Sequence, residues 1–191
     1  TAAECAFRLH PLVKGRIEQI ERIVIHAHAT TIRLNSKTGP LANPADRDHC
    51  VQYIVALGLL QGRIETADYE AVRASAPAIE RLRARMEVVE DARYTRDYRD
   101  PRNRASANAI QVWFNDGSST PKIEIEYPLG HPKRRCEAIP RLLEKFARNV
   151  AKIYSEPHRG EVLRVCSTRS AMEDVAIDDL MSLLAVPAQG A

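Results

Sequence analysis

Apolar and polar positions along this chain change period several times, and each change marks an element. Apolar residues in Ala2–Val13 recur at helical spacing and Gly15 supplies a stop, so the chain opens on a helix. From Ile20 to Ala29 the period falls to two, with Ile23, Ile25 and Ala27 on one face and Val24, His26 and His28 on the other. Helical spacing returns after Asn43, a good N-cap with Pro44 at the first helical position, and runs to Leu60 with Gly62 as its end. Thr66 then caps a short helix over ADYEAV, Pro77 opens another that reaches Met86, and Met86–Glu90 reads as a strand. A hairpin follows: Ala109–Asn115 is rich in strand formers, Asp116-Gly117 turns, and Lys122–Tyr127 alternates Ile with Glu. Leu129–Pro132 is a loop. Glu137–Tyr154 is amphipathic, with Ile139, Leu142, Leu143, Phe146, Val150 and Ile153 on one face, and helical segments at Arg159–Cys166 and Asp178–Leu184 close the chain.

This order of helix, strand, helices, hairpin and helices predicts an α+β fold: a small, mainly antiparallel sheet covered by helices, a two-layer sandwich. No internal repeat or low-complexity tract interrupts it. The 191 residues are enough for one substantial domain or a domain with a helical appendage. No apolar run approaches the roughly 20 residues a membrane helix requires, so no membrane partner is expected. A net charge of +3 is too small to argue for nucleic acid. Basic residues cluster at Arg81–Arg85, Arg93–Arg104 and Lys133–Arg135, and the first two clusters read as solvated faces. Cys5, Cys50, Cys136 and Cys166 form no C-x-x-C pair, which speaks against a zinc ribbon and leaves no iron–sulfur signature. They read as reduced thiols of a cytoplasmic protein, with Cys50 and Cys166 buried. Thr1 begins directly in a helical run, so the chain reads as a piece of something longer.

The densest chemistry lies in Gly39–Tyr53, GPLANPADRDHCVQY. On one helix, Asp46, His49 and Tyr53 would share a stripe. Two readings remain open. The helix start and Arg47 could bind a carboxylate while His49 or Asp46 moves a proton, or the acids simply cap a helix whose histidine is structural. Arg33 and Lys37 extend the positive character into the preceding loop. His26 and His28 share a strand face but have no third ligand nearby, so no metal site is expected. The basic turn from Gly130 through His131 to Arg135 could grip an acidic group or be a solvated connector. No G-x-G-x-x-G, Walker loop, H-E-x-x-H or G-x-S-x-G occurs, so nucleotide, zinc-protease and serine-hydrolase chemistry have no motif support.

NPADRDHCVQY with the apolar helix and GRIETADYE after it, YRDPRNRASANAIQVWFNDG, and IEIEYPLGHPKRR together resemble the MmgE/PrpD family, in that family's order and spacing. The resemblance implies a two-domain lyase that dehydrates 2-methylcitrate to 2-methyl-cis-aconitate in propionate breakdown, with no metal or cofactor. It implies a larger all-helical domain, absent here, against which the C-terminal helices would pack. The expected division is a helix over 1–15 continuing from that domain, a small α+β lid over 16–136, and closing helices over 137–191. The family is typically dimeric, so a homodimer is expected of the full-length enzyme.

Carried onto this sequence, the resemblance makes His49, His28, Asp46 and Tyr53 catalytic candidates, with Asp46 and Tyr53 orienting rather than reacting. Arg47, Arg33, Lys37 and His131 become candidates for binding a tricarboxylic acid. The isolated chain is expected to be inactive. Ala29-Thr30-Thr31 departs from the family's more familiar pattern after the His28 position, which bears on the preferred acid. The rivals are sibling activities, cis-aconitate decarboxylation or iminodisuccinate epimerisation, and a free-standing module that binds an acidic partner.

Overall fold

The computed structural model describes residues 1–70 and 77–185. They form two compact units, Thr1–His131 and Pro132–Ala191. The first contains helix α1 (Ala2–Val13), strand β1 (Ile20–Ala27), helices α2 (Ala29–Asn35), α3 (Pro44–Asp48), α4 (Val51–Gln61) and α5 (Pro77–Arg83), strand β2 (Met86–Glu90), helix α6 (Ala92–Arg99), and strands β3 (Asn108–Phe114) and β4 (Ile123–Ile125). The second contains helices α7 (Arg135–Val150), α8 (His158–Cys166), α9 (Arg169–Asp174) and α10 (Ile177–Leu184).

The sheet runs in the order β2-β1-β3-β4. The β1–β3 and β3–β4 pairs are antiparallel, while β1 and β2 are parallel, so the chain between them makes a crossover through α2–α5. Alternation along β1 sends Ile23 and Ile25 to the face that also receives Ile110 and Val112 from β3. Cys5, Leu9 and Val13 of α1 and Val55, Leu57 and Leu59 of α4 complete that core. Helix α4 is buried nearly all round, which explains why its sequence is apolar rather than amphipathic. It approaches α1 closely at Gly58, where an added Cβ would lie 2.6 Å from that of Ala6. Gly62 ends the helix in the left-handed conformation, φ 68°. On the opposite face of the sheet Tyr94 of α6 packs on Ala107 and Ala109.

Several local expectations are corrected. The helix expected from Asn43 to Leu60 is two helices, because Cys50 is extended at φ −120°, ψ 107° and serves as the N-cap of α4. The break has a cause in burial: α3 stays at the surface with only Arg47 buried, whereas α4 turns into the core. Asp46, His49 and Tyr53 therefore share no stripe. Strand β1 stops at Ala27, and His28 caps α2 instead of extending a strand face. The segment after Glu65 is a 3-10 turn, Thr66–Tyr69, capped by Glu65 and not by Thr66. The last part of the ADYEAV helix lies outside the described residues. The Arg93–Arg104 cluster includes a helix, α6, that begins where Asp91 accepts hydrogen bonds from the N–H groups of Arg93 and Tyr94.

In the second unit, α7 begins at Arg135 and carries Pro140 inside it. Its expected apolar face divides: Phe146 and Val150 pack with Tyr154 and Val162, while Ile139, Leu142 and Leu143 are exposed. Tyr154 and His158 donate to the carbonyls of Leu184 and Leu183, tying α8 to the end of α10.

Candidate functional site

The loop between α2 and α3 and the start of α3 build a polar assembly in the first unit. Asn43 caps α3 by accepting from the Asp46 N–H at 2.9 Å. Asp46 turns its carboxylate back over the loop, where Lys37 Nζ donates to Oδ1 at 3.1 Å. Its Oδ2 accepts from the Ala42 N–H at 3.2 Å and from Asn43 Nδ2 at 3.1 Å. The hydrogen bond from Lys37 leads the effects that hold the Asp46 carboxyl below the usual carboxylate range. A carboxylate so engaged is a weak base and a good anchor for an ammonium group.

Beneath this surface layer lie Arg47 and Tyr53. Arg47 is 6% exposed, and its Nη1 donates to the Tyr69 carbonyl at 2.7 Å. No carboxylate among the described residues pairs with it. Tyr53 is fully buried and donates to the Asp68 carbonyl at 2.5 Å. Burial pushes its phenol pKa up, so the hydroxyl keeps its proton. Asp68 in turn accepts from the Glu65 N–H at 2.7 Å. Arg47 and Tyr53 thus fasten α3 and α4 to the Thr66–Tyr69 turn.

The histidines are placed differently. His49 follows α3, and its side chain is 66% exposed, with Nδ1 facing the Asp48 carboxylate and the Ala45 carbonyl. His28 is buried, and its ring stacks on Tyr98 at 3.9 Å. Because Nδ1 accepts from the Thr31 N–H at 3.2 Å, the ring proton is assigned to Nε2, which lies 3.0 Å from Thr31 Oγ1. Burial holds the His28 pKa down, which keeps this neutral form. Arg33 is exposed in the last turn of α2. His131 lies at the end of the first unit with its ring against Tyr127 at 4.6 Å. The structure therefore joins Lys37, Asp46, Arg47 and Tyr53 around α3, and places His28 and Arg33 on α2.

Two residues of this assembly escaped the sequence reading. Arg83, placed by its neighbours in a solvated cluster, is 7% exposed and hydrogen-bonds the loop at the Lys37 and Gly39 carbonyls. The signal was spacing: Ile79, Leu82 and Arg83 fall on one buried face of α5. Gln52, also buried, accepts from the Lys37 N–H at 3.1 Å and donates to Ser36 Oγ at 2.8 Å. Its signal was a lone amide in the otherwise largely apolar run Val51–Leu60. An open groove of about 580 Å³ along α8–α10, lined by Glu161, Arg164, Asp174 and Asp179 among others, includes none of these residues. Among the described residues no group of three or more His, Cys, Asp or Glu side chains is placed to hold a metal ion, and no helix is long and apolar enough to cross a membrane.

The family model of the MmgE/PrpD C-terminal domain matches residues 1–169. This chain belongs to that family. It is 41% identical over 189 residues to a protein of Cupriavidus necator named 2-methylcitrate dehydratase, covering 97% of this chain and 39% of that relative. A protein of the same name from Salmonella typhimurium is 40% identical over 189 residues, again covering 97% of this chain and 39% of the relative. A relative from Yarrowia lipolytica, named as the mitochondrial 2-methylcitrate dehydratase, is 40% identical over 186 residues, 96% of this chain and 35% of the relative. The chain thus spans less than two-fifths of the length of these curated relatives.

Proposed function

We propose that this MmgE/PrpD C-terminal domain works as part of a lyase that dehydrates 2-methylcitrate to 2-methyl-cis-aconitate in propionate catabolism. The observation that carries the reading is the identity of about 40% with 2-methylcitrate dehydratases along nearly the whole chain. The chemistry of the assembly around α3 suits such a substrate. Dehydration removes a proton from a carbon next to a carboxylate, forms the carbon–carbon double bond, and releases the hydroxyl group as water after an acid protonates it. Three substrate carboxylates and the charge that develops on proton removal need fixed cations.

In this reading Lys37, Arg33, Arg47 and His131 hold substrate carboxylates. His49, exposed and next to Asp48, moves a proton in the reaction. His28 stays neutral and shapes the α2 end of the site, while Asp46 and Tyr53 orient their neighbours. These residues form one wall of the site, and the opposite wall belongs to the N-terminal helical region of a longer, homodimeric cytoplasmic enzyme. The domain divisions expected from the sequence, 1–15, 16–136 and 137–191, belong to the same proposal.

The test is turnover by the full-length gene product on 2-methylcitrate, citrate and cis-aconitate side by side, following the conjugated acid by ultraviolet absorbance and carbon dioxide release separately. Formation of 2-methyl-cis-aconitate without carbon dioxide is expected. Decarboxylation of cis-aconitate with no dehydration of 2-methylcitrate would replace this reading with the sibling activity. Near-intact dehydration by the 191-residue chain alone would show that it needs no second wall.

A further inference from the structure

The loop over residues 36–43 carries Lys37 but no helix or strand, and buried side chains from two helices hold its backbone. Gln52 of α4 accepts from the Lys37 N–H at 3.1 Å. Arg83 of α5 donates through Nη2 to the Lys37 carbonyl at 3.1 Å and the Gly39 carbonyl at 2.9 Å. Both backbone groups of Lys37 are therefore fixed from below, and its ammonium is fixed from above by Asp46.

The Arg83 arrangement is costly. Its guanidinium is buried and held to both Glu80 oxygens at 2.7 and 2.6 Å through Nη1, and its Nε is buried with no partner among the described residues. Burying a charge with an unmet donor is unfavourable, and well-packed apolar residues serve stability as well or better. Such an expense fits a residue that sets geometry. A guanidinium is suited to the task, because Nη1 holds Glu80 while Nη2 reaches the two loop carbonyls, a division between two nitrogens of one planar group that a lysine lacks.

We infer that Arg83 and Gln52 are positioning residues that lock the 36–43 loop so that the Lys37 ammonium meets a substrate carboxylate at a fixed point. This rests on the proposed reading of Lys37 as a carboxylate ligand. A clamp formed equally in ground and transition states acts on KM and leaves kcat alone. Arg83 and Gln52 should then act only through Lys37.

The experiment measures kcat and KM on 2-methylcitrate for the full-length enzyme and its Lys37→Met, Arg83→Gln, Gln52→Leu and Lys37→Met/Arg83→Gln variants, with a melting curve for each. Each single change should raise KM by roughly 10-fold or more with kcat within about 2-fold, since a hydrogen bond to a charged group is at stake. The double variant should be no worse than Lys37→Met alone, the non-additivity of residues that act as one unit. Arg83→Lys should not restore KM.

A lower melting temperature with unchanged KM in Arg83→Gln and Gln52→Leu, while Lys37→Met still raises KM, overturns the positioning role and leaves the site reading in place. Additive losses in the double variant overturn it too. Should Arg83→Gln fail to fold, Gln52→Leu and a Lys37→Met/Gln52→Leu double variant decide the question by the same criterion. Unchanged KM in Lys37→Met removes the ligand role of Lys37 and this inference with it. A wild-type enzyme with no dehydratase activity overturns the functional reading itself.

Discussion

Replacing Tyr53 by Phe removes one oxygen from the interior of the first unit and nothing else. The hydroxyl is buried and donates to the Asp68 carbonyl at 2.5 Å. Phe keeps the ring and its apolar contacts, so the packing contribution cancels and the polar one remains. A neutral hydrogen bond contributes about 0.5–1.5 kcal/mol net, and depriving a buried acceptor of its donor costs about 1–3 kcal/mol. A loss of about 1–2 kcal/mol follows. For a chain of this length each kcal/mol moves Tm by about 2–4 °C, so Tm should fall by about 2–8 °C. Because burial keeps the phenol protonated, the difference should not change between neutral and mildly alkaline pH. Thermal melts read the stability, and kcat of the full-length enzyme should fall less than about 5-fold, under 1 kcal/mol in the barrier. An unchanged Tm together with a kcat reduced 100-fold would refute the reasoning, because the hydroxyl would then act on substrate and not on Asp68.

Gly58→Ala should destabilise the first unit: its new Cβ would sit 2.6 Å from that of Ala6, where carbon atoms prefer about 3.5–4.0 Å. Overpacking costs about 1–3 kcal/mol against about 1 kcal/mol gained in helix propensity, and the urea midpoint reads the balance. Arg47→Ala should lower stability by about 1–3 kcal/mol by depriving the Tyr69 carbonyl of its donor; the proposed clamp adds a rise in KM with kcat retained. For His28, burial depresses the folded pKa below the unfolded value of about 6.5. The unfolded chain therefore takes up a proton first, and stability present above pH 6.5 declines as pH falls toward the folded pKa. His28→Asn keeps a capping side chain and should flatten that part of a Tm-against-pH curve; an unaltered curve would assign the acid sensitivity elsewhere.

Periodicity made α1, β1, the β3–β4 hairpin and α8 legible, because each combines a regular apolar pattern with a nearby Gly, Asp or Pro. It failed where a polar side chain, and not the pattern, decides the backbone. Helix α6 is dominated by Arg, Tyr and Asp and offers no apolar stripe; its start is fixed by Asp91 accepting two N–H groups. Helix α2 starts on a histidine cap, a role more often filled by Ser, Thr, Asp or Asn. The parallel β1–β2 pairing was also out of reach. Five residues do not reveal a strand's direction, and the crossover between the two strands is divided among several helices instead of the single long one that marks a βαβ unit. Among site residues, those close in sequence around α3 were visible. Arg83 was not, since its role depends on carbonyls more than 40 residues earlier in the chain.

The break at His49 and Cys50 separates the residues able to meet a ligand from those that hold them. An uninterrupted helix would have turned Asp46, His49 and Tyr53 the same way, into the core or out to solvent together. In the core the carboxylate and imidazole would have had to give up their charges or find buried partners. In solvent, Tyr53 could not have fastened α4 to the Thr66–Tyr69 turn. With Cys50 extended, the His49 side chain remains 66% exposed while Tyr53, only four residues on, is fully buried. The same turn places Gln52 where it can accept from the Lys37 N–H, so the loop is held from the helix that the break created. A polar surface layer of Lys37, Asp46 and His49 on a rigid support of Gln52, Tyr53 and Arg83 is a pre-organised arrangement. Ordering Lys37 only on binding would take its entropy cost from the affinity for the proposed acid, and the fixed loop removes that cost in advance.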